Sequence, residues 1–341
     1  MPLWGSEVIN ALQINPRAPW AAVAQALETD AVTAARRWQR ISERGLAWVT
    51  GYPGPRDESA HAVVEVECEA PTTDAVAAAV ARDPEAITVE ETAGARDLLV
   101  TVAASSLAGL VGYVTSRVRL LPGVRSTRTN LITEGFTEGA QWRLGALDAA
   151  ARRAVAPRAP AETPAAWAPG LRDDLDRRIV VELSLDGRVS ATELAARFGI
   201  GTSTAARRLR RIIETRSVLL RCEVARSAVG RPVTATLWAS VRPEDLTRAG
   251  KALARLPQVR LAAAVAGPSN LICIAWLSSL SELPGFETDM ALRVPALTVT
   301  DRTVTIRPVK HSARMLDHEG RALEAVPADL WARRETAGDA R

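Results

Sequence analysis

Residues 175–220 read LDRRIVVELSLDGRVSATELAARFGIGTSTAARRLRRIIETRSVLL. Leu175, Ile179, Val180 and Leu183 recur at helical spacing, which predicts a first helix with one apolar face, stopped at Asp186-Gly187. Ser190 with Glu193 three residues later forms a capping box, so a short second helix starts there and ends at Gly199. The Gly-Ile-Gly turn leads into a third helix from about Thr202 to Arg216. Val218-Leu219-Leu220 and Glu223-Val224 then alternate as a short strand. Three helices with a tight second turn and a following strand predict a winged helix-turn-helix unit.

The word TAARRLRRI at 204–212 has a counterpart, TAARRWQRI at 33–41, at an offset of 171. Gly94-Ala95-Arg96-Asp97 followed by LLVTV matches Gly267-Pro268-Ser269-Asn270 followed by LICIA at an offset of 173. Leu121-Pro122-Gly123-Val124 matches Val294-Pro295-Ala296-Leu297 at the same offset. A nearly constant offset predicts one unit of about 150 residues written twice. In the first copy the helices fall at 5–14, from Pro19, and from Asp30 to Gly45, with LAWVTGY as the strand. Its first helix starts so near Met1 that it reads as shortened and unable to bury a full stripe.

Each helical part is followed by a different pattern. Strands at 62–68, 86–92, 97–103 and 124–133 with helices at 73–82 and 107–120 give the order βαββαβ. Residues 234–241, 244–256, 259–265, 270–277, 280–291 and 297–307 repeat it. The fold class is therefore α+β: tandem winged helix-turn-helix units (1–52 and 171–226) alternating with ferredoxin-like βαββαβ domains (60–142 and 230–312). Residues 143–170 form an Ala/Pro-rich linker and 313–341 a C-terminal tail; seven Ala and four Pro within 154–170 exclude a continuous helix there.

Composition narrows the function. With 47% hydrophobic and 24% charged residues, the chain of 341 is globular rather than disordered. No apolar run reaches the length of a membrane span, and the first 15 residues lack the features of a signal peptide. Cys68, Cys222 and Cys273 lie too far apart for a zinc site and are odd in number for a disulfide framework, so they read as buried thiols of a cytoplasmic protein. All basic residues except Lys251 and Lys310 are arginine, a bias a GC-rich genome explains without invoking nucleic acid. Their placement is more telling. Residues 171–226 carry 12 Arg against 8 acids, and residues 60–140 carry 6 Arg against 11. A basic helical unit beside an acidic sheet domain would orient on a phosphate backbone.

In the third helix of the second copy, Ala205, Leu209 and Ile212 form the buried stripe. Thr204, Arg207, Arg208 and Arg211 are read as the opposite face, with Thr202 and Ser203 at its start; Thr33, Arg36, Arg37 and Arg40 are their counterparts. Arginines and hydroxyls on an exposed helix suit the major groove of double-stranded DNA.

The quoted run resembles the DNA-binding domain of the Lrp/AsnC (leucine-responsive regulatory protein) family, through Leu175-Asp176-Arg177-Arg178-Ile179, Asp186-Gly187-Arg188, Glu193-Leu194-Ala195 and Ser203-Thr204. The sheet parts resemble that family's regulatory domain at Gly94-x-x-Asp97 and at Pro122-Gly123-Val124 with Thr127 and Thr129. The resemblance implies a transcriptional regulator in which paired sheet domains bind an amino acid or similar small effector. Carried over, it nominates Gly94, Asp97, Thr127, Thr129, Gly267 and Asn270 for the effector. Family members have one helical unit and one sheet domain and act as dimers or larger assemblies; duplication here makes an intrachain pseudo-dimer or a homo-oligomer the expected state. Asn270 in place of Asp97 and Arg302 in place of Thr129 make the halves unequal.

No cofactor or metal is expected, because HExxH, CxxC and GxSxG are absent and Gly199-Ile200-Gly201 does not continue as a dinucleotide fingerprint. His311 and His318 read as solvated residues near the C-terminus. Two alternatives stay open. Sirohaem decarboxylases resemble the same architecture but act on a tetrapyrrole, which would need His or Arg side chains converging in the sheet cavity, and His61 is a candidate. An effector sensor without DNA binding is the other.

Overall fold

The computed structural model describes residues 5–53, 59–137, 142–156 and 171–329. The first helical unit holds α1 (Ser6–Ile14), α2 (Trp20–Ala26), α3 (Ala31–Glu43) and β1 (Ala47–Pro53). The second holds α7 (Asp174–Leu185), α8 (Ala191–Phe198), α9 (Thr202–Glu214) and β6 (Val218–Val224). Local chemistry sets these starts. The Asp30 side chain accepts the Thr33 N–H, and Ser190 with Glu193 makes both bonds of a capping box. Each such cap contributes roughly 0.5–2 kcal/mol.

The first sheet domain runs β2 (Ala60–Cys68), α4 (Thr73–Ala81), β3 (Ala86–Thr92), β4 (Leu98–Ala104), α5 (Leu107–Ser116) and β5 (Val124–Thr137). The second runs β7 (Val233–Ser240), α10 (Leu246–Leu253), β8 (Val259–Ala266), β9 (Leu271–Leu277), α11 (Leu283–Arg293) and β10 (Thr298–His311). The alternation of winged helical units with ferredoxin-like domains is thus as the sequence reads. The two sheets join at both edges, β5 on β8 and β10 on β3, closing a ring of eight strands. Closure satisfies edge N–H and C=O groups that separate sheets would leave open. The helices cover the outer faces, and Val63, Leu99, Trp238, Val265 and Ile272 pack between the sheets.

The two wings do not stand apart. β1 pairs antiparallel with β6 from Ala47↔Val224 to Pro53↔Val218, forming one ribbon that lies over the ring.

Three sequence expectations are corrected. Helix α1 is short but buries six consecutive residues, Val8 to Gln13. Its missing partner comes from the segment read as linker: α6 (Ala149–Val155) packs on α2, and Asn10 and Gln13 accept the Leu147 and Leu144 N–H groups at 3.0 and 2.9 Å. The Ala/Pro-rich remainder, 157–170, lies outside the described residues. The tail from 313 contains β11 (Arg314–Leu316) and β12 (Ala322–Ala325), which extend the sheet from β10. This extension straps both helical units, with the Ala322 N–H donating to Gly45 O at 2.8 Å and the Ala328 N–H to Ser184 Oγ at 3.0 Å. Gly45 has φ +65°, and a Cβ there would lie 2.4 Å from Ala322 O, so both conformation and space demand glycine.

Candidate nucleic-acid interface and the cavity beneath the wings

Helix α9 exposes Ser203, Arg207, Arg210 and Glu214 along one line, with Thr202 exposed at its start and Thr204 half-buried. Arg208 and Arg211 are not on that line. Both turn back to α7: Arg208 Nη1 lies 2.9 Å from Asp176 and 2.8 Å from Asp173, and Arg211 also pairs with Asp176. Asp176 is fully buried. Burial would raise its carboxyl, but the Arg172 N–H and the Arg211 and Arg208 guanidiniums hold it below the usual range. At 100° per residue Arg208 sits only about 60° from the centre of the buried stripe, too close to face outward. Arg210, on the outer line, escaped the sequence reading although the same geometry would have found it.

On α3 the equivalent line is Val32, Arg36, Gln39 and Glu43, with Arg40 also exposed, Arg37 half-buried and Thr33 tied to Asp30 at 2.6 Å. The first unit has Gly5 where the second has Asp176. Its outer line carries one arginine instead of two, and Gln39 donates to Glu43 at 2.8 Å.

The six nominated effector residues do not converge on open space. The Asp97 carboxylate accepts the Cys68 N–H at 2.7 Å, and Asn270 bonds both N–H and C=O of Val241 at 3.1 and 2.8 Å. Both therefore do the same task, closing the end of a neighbouring strand. Thr127 accepts from Arg119 at 2.9 Å, Thr129 pairs opposite Val64, and Gly94 and Gly267 are exposed hairpin residues. Beside the hairpin, the space between the sheets is filled by Arg96. Its guanidinium lies 4.1 Å from the Trp238 ring, bonds Glu65 at 2.7 Å and pairs with Asp301.

The open space lies at the other end, between the ring and the β1–β6 ribbon. Its volume is about 210 Å³, and it opens to solvent. Trp48, Tyr52 and Arg221 line it from the ribbon, and His61, Arg260, Trp276 and His311 from the sheets. His311 is therefore not the solvated residue expected from sequence, whereas His318 is exposed. Glu223, buried in the ribbon, takes Arg221 and Arg260, each at 2.9 Å, and His311 at 3.2 Å. Burial would raise its carboxyl, but His311, Arg221 and Arg260 hold it well below the usual range. Burial pulls Arg260 down to about 10, and its guanidinium lies 4.0 Å from the Trp276 ring. Burial also lowers His61, favouring its neutral imidazole. The thiols offer no nucleophile, since burial pushes Cys68 up to about 11 and Cys273 to about 12.

Among the described residues no cluster of His, Cys, Asp or Glu could hold a metal ion, and no helix is long and apolar enough to cross a membrane.

A family model described as the Lrp/AsnC ligand binding domain matches residues 61–142, and one described as the AsnC-type helix-turn-helix domain matches 173–212. The HTH-type transcriptional regulator LrpA of Mycobacterium tuberculosis is 33% identical over 116 residues, which are 33% of this chain and 75% of that protein. The chain belongs to the Lrp/AsnC family. An uncharacterised HTH-type transcriptional regulator of Pyrococcus furiosus is 24% identical over 39% of this chain and 90% of its own length. Each of these two relatives aligns with less than half of the present chain, as expected if the family unit is present twice. The crystal structure of the siroheme decarboxylase NirDL, in co-complex with an iron-uroporphyrin III analogue, covers 95% of this chain and 95% of its own with a TM-score of 0.58. At 14% identity that likeness is one of fold.

Proposed function

We propose that this chain is a sequence-specific DNA-binding transcriptional regulator of the Lrp/AsnC type, acting as an intrachain pseudo-dimer. The observation that carries the reading is the exposed line of Ser203, Arg207 and Arg210 on the third helix of an AsnC-type helix-turn-helix unit. Arginine can bond guanine O6 and N7 bidentately and serine can reach base edges or phosphate, at roughly 1–3 kcal/mol of discrimination per good bidentate pair. Thr202, Thr204, Thr33, Arg36, Arg37 and Arg40 are proposed as supporting contacts, mainly to phosphate. Arg208 and Arg211 are assigned to the fold of the unit instead.

The test is genome-wide mapping of bound sites followed by binding measurements on the strongest site. Arg207→Ala and Arg210→Ala should each weaken specific binding about tenfold or more without shifting the melting temperature. Unchanged binding in both would remove this face as the reading surface.

A second reading is favoured by one observation: His61 and His311 line the same arginine-bearing cavity in a chain that aligns over 95% of its length with the fold of NirDL. Such convergence is what sirohaem-decarboxylase-like chemistry on a tetrapyrrole would need. Absorbance of the purified protein, alone and after incubation with iron-uroporphyrin, separates an enzyme from a regulator. Loss of carboxyl groups from the added tetrapyrrole would establish the enzymatic reading.

A further inference from the structure

The two helical units sit in a symmetric frame. At the repeat offset of 171, Ala47 and Val218 are counterparts, as are Pro53 and Val224. The ribbon pairs Ala47 with Val224 and Pro53 with Val218, so a two-fold axis passes through the pair Thr50↔Arg221. The same axis exchanges the β5–β8 edge with the β10–β3 edge. Such a frame relates α3 and α9 as inverted copies, and two identical recognition helices so related read a palindrome.

The exposed side chains break that symmetry. Helices α3 and α9 start at equivalent residues, and their outer lines match position by position: Val32 answers to Ser203, Arg36 to Arg207, Gln39 to Arg210 and Glu43 to Glu214. Val32 is 59% exposed at the second residue of its helix, the end that reaches base edges when such a helix enters the major groove. An aliphatic side chain there has one suitable partner among base edges, the C5 methyl group of thymine. Gln39 donates its amide to Glu43 at 2.8 Å, so the guanine-directed guanidinium that Arg210 supplies has no equivalent in α3. Asp30, exposed at the start of α3 where α9 has Gly201, adds a carboxylate of the same sign as the DNA phosphates.

We infer that one chain reads a non-palindromic operator. One half-site presents guanines to Arg207 and Arg210 of α9, and the other presents a thymine to Val32 of α3. This rests on the DNA-binding reading and deepens it. Val32 becomes a specificity-determining residue, of modest weight beside the arginines because a methyl contact carries no directional hydrogen bond. One chain covers both half-sites, so the asymmetric site is bound in one orientation.

Selection from a random duplex library with the full chain should enrich a site whose two halves differ, occupied by a single chain in sedimentation. Replacing the thymine of the α3 half-site by deoxyuridine removes only its methyl group and should weaken binding about threefold. With Val32→Ser the same replacement should have no effect. Making both halves copies of the thymine half-site should weaken binding about tenfold or more, because Arg207 and Arg210 lose their guanines. Val32→Ser combined with Gln39→Arg gives α3 the outer line of α9 and should shift the selected site to a palindrome. Both positions are exposed, so neither substitution disturbs the core. A palindromic site selected by the wild-type chain, two chains per site, full affinity for the deoxyuridine site, or the original asymmetric site selected by the double variant would overturn the inference while leaving DNA binding intact. A selection that enriches no sequence would overturn the regulator reading and this inference with it.

Discussion

Arg17 and Arg188 occupy equivalent positions in the two helical units, and each donates to the carbonyls flanking the other. Arg17 bonds Gly187 O and Val189 O at 2.7 and 2.9 Å; Arg188 bonds Pro16 O and Ala18 O at 2.6 and 3.0 Å. This is the reciprocal contact of an isologous two-fold interface, built inside one chain. Together with the β1–β6 ribbon it fixes the spacing of α3 and α9.

Breaking that exchange should separate the units before it unfolds them. Hydrogen bonds from a charged donor contribute roughly 1.5–3 kcal/mol, so Arg17→Ala and Arg188→Ala should each lower stability by about that much in denaturant unfolding. The double variant should also lose its preference for one spacing between half-sites. Retained spacing preference would assign that role to the ribbon and the C-terminal strap.

Asp176 should behave as a structural residue. Asp176→Asn leaves Arg208 and Arg211 with a neutral partner, and roughly 1.5–3 kcal/mol of stability should be lost. Thermal unfolding checks this. Against burial, which raises it, the Arg172 N–H and the paired arginines hold the Asp176 carboxyl low. Its contribution is therefore complete above the unfolded value near 4 and fades as pH falls through the folded one. The deficit of the variant should accordingly shrink in acid.

The first unit should add affinity without much selectivity. Phosphate contacts position a protein, whereas base contacts specify. With Arg36 the sole cation on its outer line, Arg36→Ala should reduce affinity about equally for all sequences and flatten the salt slope by up to about one. Arg207→Ala should change which sequences are preferred. Binding-site selection with both variants over a salt series decides the roles, and a changed site preference in Arg36→Ala would reverse them.

Lys310 should cost stability at neutral pH. It is 2% exposed, and its ammonium donates to Asp83 O at 2.8 Å, with no carboxylate among the described residues paired to it. Burial pushes it down to about 8. Below that pH both states are protonated and folding bears the whole cost of burying the charge. Between about 8 and the unfolded value near 10.4 the unfolded chain binds more protons, so stability gains with rising pH. Lys310→Met should melt higher than wild type at pH 7, and the gap should narrow by pH 10. A gap that does not change with pH would mean that Lys310 is held by its aliphatic stem alone.

The sequence by itself determined the duplicated plan, the helices and strands of the two repeated units and the capped starts of α3 and α8. These rest on periodicity and on bonds between residues three or four apart, which a linear reading contains. It also marked α9 as the candidate reading helix, but not which arginines face out, because Arg208 sits near the boundary of the buried stripe and its orientation depends on Asp173 and Asp176 at the start of another helix. Tertiary structure alone decided the rest. Segment 144–155 completes the first unit, β11 and β12 strap the wings, and His311 meets Arg221 and Arg260 around Glu223. Every one of these contacts joins residues far apart in the chain, between elements whose local patterns are complete without each other. Only closure of the eight-stranded ring and pairing of the two wings bring them within bonding distance.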